Sequence, residues 1–417
     1  SNINMPVFKP FKGIRPNHDF VDIFPTYSLD NFTQEEINKK SQQDNSYIQM
    51  IKPAVVSKSK DIDRNFRKIR SNYEELLEEK KLTQDDSSYY LYEQTLPDKS
   101  SFRGLLGLVS VDDFWDGKIK KHESTITERR MKMAHYLEKV NLQAEPVLLT
   151  YHSNSKVELL MTHEQKNVPI INYKDEKGVK HKIWKIDNRL KLQQFKEVLD
   201  PIDSFYIADG HHRIGSVAEY AKKQRDKYKR SHGTEHYNFV YSFIVSNQSI
   251  KINDYNRLLN DLNGLSNEEI LDKLKEDFQI HDKGEAPYFP SQKFHISMYL
   301  DGRFYSLHVK HDIREEQKNE NDLDHHLVDK YIFEKIFGIT NAKHTDKITY
   351  LKGTSDTKGI EEIKEKVDSG DYKIGFGIYP ISFNDLLKIS DKEIKMPPKC
   401  TLIEPKLITA LMMYDMK

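Results

Sequence analysis

The stretch SFYIADGHHRIGSVAEYAKK, residues 204–223, admits few folds, because it reads as a strand, an abrupt turn and a helix in immediate succession. Ser204 to Ala208 is a short apolar run of strand type, and Ile214, Val217, Ala218 and Ala221 then recur at helical spacing. Between them the polar side chains of Asp209, His211, His212 and Arg213 crowd around Gly210. A helix that starts directly after a strand aims its unpaired N–H groups, and the positive end of its dipole, past the strand end, which favours an anion such as phosphate. Gly210 lets the backbone approach closely, and Arg213 adds a forked cation suited to phosphate oxygens. Asp209 is placed to hold a metal ion or a proton in the same cup. The pattern fits equally a plain amphipathic helix with Asp209 as its N-cap, so spacing alone leaves both readings open.

At 417 residues the chain is long enough for two or three domains with substantial cores. Charged residues make up 31%, yet the 11% of aromatic residues argue that it folds. Lys and Arg together number 65, as do Asp and Glu, so no global attraction to nucleic acid or an anionic membrane exists and a nucleic-acid partner is not expected. The only cysteine is Cys400, which excludes an intrachain disulfide and a CxxC metal site and fits a reducing compartment. With no apolar run of about 18 residues and no signal-peptide core, the expected location is the cytoplasm, away from any membrane.

The segment KIKKHESTITERRMKMAHYLEKV carries a second signal. Thr125 and Glu128 have capping-box spacing, and Ile126, Met133, Leu137 and Val140 keep one helical face apolar. His122 and Glu123 therefore fall just before a helix, where a carboxylate is held on a rigid edge. An exposed acid that complements the helix dipole gives the same pattern. The motif is not HExxH, so a zinc-protease reading fails.

Helices are expected over Thr33–Lys40, Asp63–Lys81 and Leu190–Leu199, and strands in SYYLYEQT, RGLLGLVSV, KIWKI and NFVYSFIVS. PVLLTYH and VELLMTH read as paired strands. This alternation predicts an α/β core. Residues 255–385 resemble an appended α+β domain, with helices in DYNRLLNDLNG and SNEEILDKLKEDF and a hairpin at Asp301-Gly302. Its Asp324-His325-His326 run invites a metal-phosphoesterase reading, but the partner carboxylate motifs of such a site are missing upstream. The tail MPPKCTLIEPKL has little helix propensity, and its Lys399 is able to reach a phosphate or a carboxylate. The expected division is an N-terminal α/β extension (1–100), a catalytic core (101–250), an appended α+β domain (251–390) and a tail returning to the site (391–417).

FKGIRP, RGLLGLVSV, KIKKHEST, the strand around Trp184, YIADGHHR, DYNRLL and MPPKCT together identify the chain as a member of a widespread family of unknown function. Its members carry ADGHHR, an upstream HE-T-type segment and a closing MPPKST-type tail. Cys400 stands where the family usually has serine, and FPTYS at 24–28 departs from its usual PYD-type segment. That family resembles the free-serine kinases of the ParB/sulfiredoxin-like superfamily.

The resemblance implies a ParB/sulfiredoxin-like nucleotide-binding core and transfer of a phosphoryl group from ATP or ADP to free L-serine, with Mg²⁺. It assigns Gly210, His211, His212 and Arg213 to the nucleotide phosphates, Asp209 to the metal and to catalysis, and Glu123 to the base. His122, Lys399 and Thr401 fall near the amino-acid substrate. A ParB-like nucleotide-binding switch without a small-molecule acceptor is the alternative. The oligomeric state is not readable. Glu123 and Asp209 lie 86 residues apart (209 − 123), so the fold must bring them together across the intervening strands.

Overall fold

The computed structural model describes residues 5–229, 232–318, 321–340, 345–353, 357–391 and 401–417. They form two compact units, residues 1–250 with 405–417, and residues 251–404. The expected boundary at residue 100 separates nothing, because the strands on either side of it, Tyr89–Thr95 (β1) and Ser101–Ser110 (β2), are antiparallel neighbours in one hairpin.

Around that hairpin the first unit builds a mixed eight-stranded sheet. Its other strands are Ile119–Lys120 (β3), Val147–Tyr151 (β4), Ile171–Lys174 (β5), Lys180–Ile186 (β6), Phe205–Asp209 (β7) and Phe239–Ser246 (β8). The spatial order is β3-β7-β4-β8-β2-β1-β6-β5. Strands β2 and β8 are neighbours in the middle and are buried along almost their whole length, which is why GLLGLVSV and FVYSFIVS show no polar alternation. The chain is thus a mixed α/β protein, as its alternation of elements predicts.

Helices flank this sheet: Gln34–Lys40 (α1), Ile62–Glu78 (α2), Thr127–Val140 (α3), Ser155–Glu164 (α4), Arg189–Leu199 (α5) and His211–Lys227 (α6). Helix α1 starts at Thr33 with both arms of a capping box formed. In α4 the structure corrects the expected second strand of PVLLTYH and VELLMTH. The Asn154 side chain caps a helix there, and Val157 and Met161, four residues apart, are its buried face. Helix α3 begins at Thr127 behind an uncapped Ile126, so the Thr125–Glu128 capping box does not form. Thr125 accepts from Arg130 instead.

Two pairings fix the site. The short β3 runs parallel to β7, with Ile119 opposite Phe205 and Lys120 opposite Tyr206, so the chain leaves both strands at the same edge of the sheet. Strand β7 also has a register shift against β4 between Ile207 and Asp209, a bulge that re-aims the last residue of the strand. Helices α3 and α6, which follow these two strands, pack against each other. On α6, Ile214, Val217, Ala218 and Ala221 are buried, and each large aliphatic side chain so buried contributes about 1.5–3 kcal/mol.

In the second unit, Lys251–Leu259 (β9), Phe278–Gly284 (β10), His295–Leu300 (β11), Arg303–Val309 (β12), Ile348–Lys352 (β13), Ile374–Ile378 (β14) and Thr401–Glu404 (β15) form, among the described residues, a seven-stranded sheet. Its helices include Asn267–Leu274 (α7), His311–Gln317 (α8), Asp324–Val328 (α9), Thr357–Asp368 (α10) and Phe383–Asp391 (α11). The β11–β12 hairpin turns on Asp301 and Gly302, both at positive φ, as the Asp-Gly pair predicts. DYNRLL, expected to be helical, is part of β9. Its buried Asp254, Asn256 and Arg257 hid the apolar alternation of a strand. No described helix is long and apolar enough to cross a membrane.

Candidate active site

Gly210 is the hinge of the site. It follows β7 at φ 101° and is itself the N-cap of α6, and no side chain caps that helix. Asp209 therefore does not serve as the cap. It is the exposed last residue of β7, while the first-turn N–H groups of α6 remain for a ligand. Arg213 folds back over this turn, with Nη2 2.7 Å from where a Cβ on residue 210 would lie, so a side chain there would collide with the guanidinium.

Glu123 sits beyond the end of β3, half-buried between its neighbour His122 and the turn that carries Asp209 and His211. One carboxylate oxygen is 3.7 Å from Nε2 of His122 and the other is 3.6 Å from Nδ1 of His211. Burial, and then the like charge of Asp209, push its pKa up to about 7. This coupling joins the two carboxylates across their long sequence separation.

The histidines of the turn are tied to the Glu123 segment through its backbone. Nε2 of His211 accepts from the N–H of His122 at 3.2 Å, and Nε2 of His212 accepts from the N–H of Ile126 at 3.1 Å. His211 is held neutral because burial, and then repulsion from His122, His212 and Arg213 when it is protonated, lower its pKa well below the ordinary value. His212 is lowered by burial and by Arg129, Arg130 and Arg213. A neutral imidazole carries one proton, so accepting at Nε2 places it on Nδ1. His211 thus presents an N–H to Glu123, and His212 has an N–H to offer a ligand.

His122, assigned above to the substrate, is fully buried, its ring 4.6 Å from that of His211 at 88°. Burial lowers its pKa to about 4, against the opposing effect of the Ile207 carbonyl. The ligand atoms of His122, Glu123 and His211 lie within 4.8 Å of one another, the spacing of a metal site. Metal ligation at Nδ1 of His211 would require that atom to lose its proton while Nε2 is already engaged. Asp209, exposed at the end of β7, is not among these clustered donors.

Arg213 extends Nη1 to Glu145 at 3.3 Å, while Nε and Nη2 are buried without a hydrogen-bond partner among the described residues. Unspent buried donors above a helix N-terminus fit an anion. Glu145 itself has a raised pKa because burial outweighs the stabilising charge of Arg213. It was missed in the sequence, where it merely precedes PVLLTY. Arg213 and Glu145 line a largely apolar pocket of about 280 Å³ whose walls also include Tyr47, Tyr136, Val217 and Thr409. A larger cavity of about 710 Å³ in the same unit is lined by Phe24, Pro25, Thr26 and Tyr27 among others and contains none of the expected site residues, so volume alone does not mark the chemistry.

Of the tail residues, Lys399 lies outside the described residues. Thr401 opens β15, its backbone opposite Asp254. Residues 405–417 belong to the first unit, where Ile408–Thr409 pairs with Thr26–Tyr27.

Solved structures similar to this chain include a free serine kinase in complex with AMP, at 14% identity and a TM-score of 0.33 over 73% of this chain and 90% of that one. A free serine kinase variant in complex with ADP is similar at 14% identity and a TM-score of 0.34, with the same coverage. SbnI from Staphylococcus aureus is similar at 13% identity and a TM-score of 0.33, over 72% of this chain and 82% of that one. No curated protein matches the chain. The family described as "Protein of unknown function (DUF1015)" matches residues 8–329, and the chain belongs to it.

Proposed function

We propose that this chain is a cytoplasmic, nucleotide-dependent phosphotransferase of ParB/sulfiredoxin-like fold whose acceptor is free L-serine and whose product is O-phosphoserine. The observation that carries the reading is a carboxylate poised near neutrality, Glu123, beside an uncapped helix N-terminus roofed by Arg213. A base works best with a pKa near the working pH, and phosphoryl transfer asks mainly for positioning and charge stabilisation.

In this reading Glu123 takes the proton from the serine hydroxyl while the new oxygen–phosphorus bond forms. The bond from that phosphorus to the leaving oxygen of ADP, or of AMP when ADP is the donor, breaks. The N–H on Nδ1 of His211 steers the carboxylate, and Arg213, His212 and the first-turn N–H groups of α6 hold phosphate oxygens. Asp209 fits Mg²⁺, which when bound supplies charge neutralisation between the phosphates. The apolar pocket that Arg213 and Glu145 line takes the nucleoside.

The test is incubation with Mg²⁺, ATP or ADP, and each hydroxy amino acid, with products read by mass spectrometry. O-phosphoserine should form, and Glu123→Gln should slow it by about 10²–10⁴-fold while nucleotide affinity stays within about twofold. Nucleotide binding that depends on Arg213, without any phosphorylated product, would replace this reading by that of a nucleotide-binding switch.

A further inference from the structure

The second unit carries a group of side chains that the proposed transfer reaction does not use. Strands β10, β12 and β11 are adjacent, and His281, His308 and His295 lie on one face of them. The other face sends Ile280, Leu307 and Ile296 to the core. His295 and His308 are direct cross-strand partners whose rings stack at 3.7 Å and 8°, and His281 leans on His308 at 4.3 Å. Such a stack gains little as packing and repels when protonated, unless an anion neutralises it.

Basic groups dominate the lining. A cavity of about 500 Å³ opens on this face, and its ionisable lining groups are Lys293, His295, His308, Lys310, His311 and Arg314. Among the described residues no carboxylate lines it. Lys283 on β10 adds a further positive group to the face, felt by His295 and His308. Acids meet part of this cluster: Asp322 and Asp385 pair with Lys293, and Glu315 lies 4.0 Å from His311, while Asp324 accepts from the backbone N–H of Phe294. Arg314 spreads its guanidinium over the Phe294 ring at 4.2 Å, a posture that leaves its edge to a ligand. One nitrogen of each stacked ring is occupied, by Ser306 for His308 and by Gln292 for His295. Neither Nδ1 atom has a hydrogen-bond partner among the described residues.

We propose that this face of the second unit is a binding site for a small molecule bearing phosphoryl groups, gripped by Arg314, Lys310 and the His281–His308–His295 stack. The site is independent of the proposed transfer reaction, and it gives the appended unit a ligand of its own. Burial, and then repulsion from neighbouring groups, keep His295 and His308 unprotonated when empty, His308 down to about 4. A bound anion reverses the repulsion, so binding takes up protons and tightens as the pH falls.

The probe is inorganic pyrophosphate, titrated calorimetrically into the full chain carrying Arg213→Gln, which disables the phosphate contacts of the first unit. A saturable site should remain, tighter at about pH 6 than at about pH 8, with a heat that changes with the ionisation enthalpy of the buffer. Adding Arg314→Gln and His308→Gln should weaken it by at least about tenfold, and Lys310→Gln alone should weaken it severalfold. Thermal unfolding of each variant separates lost binding from lost fold. No saturable pyrophosphate binding in the Arg213→Gln chain would overturn the proposal. So would binding that the added substitutions leave within about twofold, or binding without proton uptake.

Discussion

The chain contains two runs of an aspartate followed by paired histidines, and they end in opposite environments. Asp209 and His211-His212 are separated by Gly210, whose positive φ lets the carboxylate stay exposed at a strand end while the helix starts afresh. Asp324 has no such spacer and is the first residue of α9, buried together with His325. Asp324 spends both oxygens on the N–H of Phe294, at 3.0 and 3.2 Å. Burial pushes its pKa up to about 8 and pushes His325 down to about 3. Among the described residues the clustered metal-type donors are at His122, Glu123 and His211, not at the second run. One residue of backbone freedom thus distinguishes a polar turn open at a strand end from a polar knot inside a core.

The sharpest way to break this comparison is pH. A carboxyl ordinarily near 4 that is raised to about 8 on folding favours the protonated folded form. Its stabilising contribution is fully present below about pH 4 and is lost as pH rises through about 8, by up to a few kcal/mol in all. Asp324→Asn should remove that slope from urea-unfolding midpoints measured across the range, leaving the proposed serine phosphorylation unchanged. Parallel pH dependence in wild type and variant would mean that Asp324 is not a buried acid. Glycine at 210 gives the next largest effect. Gly210→Ala places a Cβ against Arg213 in a left-handed backbone and should cost about 1–3 kcal/mol. Nucleotide affinity should fall with it, whereas Gly302→Ala, at a turn where a Cβ meets nothing within 4 Å, should leave affinity unchanged.

The turn itself was legible because its pieces are contiguous. The apolar run before Asp209 and the spacing of Ile214, Val217, Ala218 and Ala221 specify a strand and a helix with no help from the rest of the chain. What joins it to Glu123 was not legible, since the parallel partner strand is only two residues long, Ile119–Lys120, below any periodicity. Glu145 was invisible for the same reason: its role comes from the approach of Arg213, not from its neighbours. The strand containing Asp254, Asn256 and Arg257 was misread as a helix because polar side chains occupy its buried positions. The helix at Ser155–Glu164 was misread as a strand because its short apolar cluster outweighed the Asn154 cap.

The smallest expected effect concerns the two carboxylates of the first run. Glu123 is raised to about 7 chiefly by burial and secondarily by Asp209. Removing the charge at 209 leaves burial in place, so Asp209→Asn should lower the midpoint of Glu123, by less than about one pH unit. Carboxyl NMR of labelled glutamate would follow it directly, without relying on turnover that the substitution also impairs. Mg²⁺ added to the unaltered chain should lower the same midpoint, because a cation on Asp209 cancels the repulsion that the substitution deletes. The two shifts should not add: in the Asp209→Asn chain, Mg²⁺ should have no further effect. If Mg²⁺ still moves Glu123 there, the ion sits on Glu123 and His122 instead, and Glu123 is a ligand rather than the base.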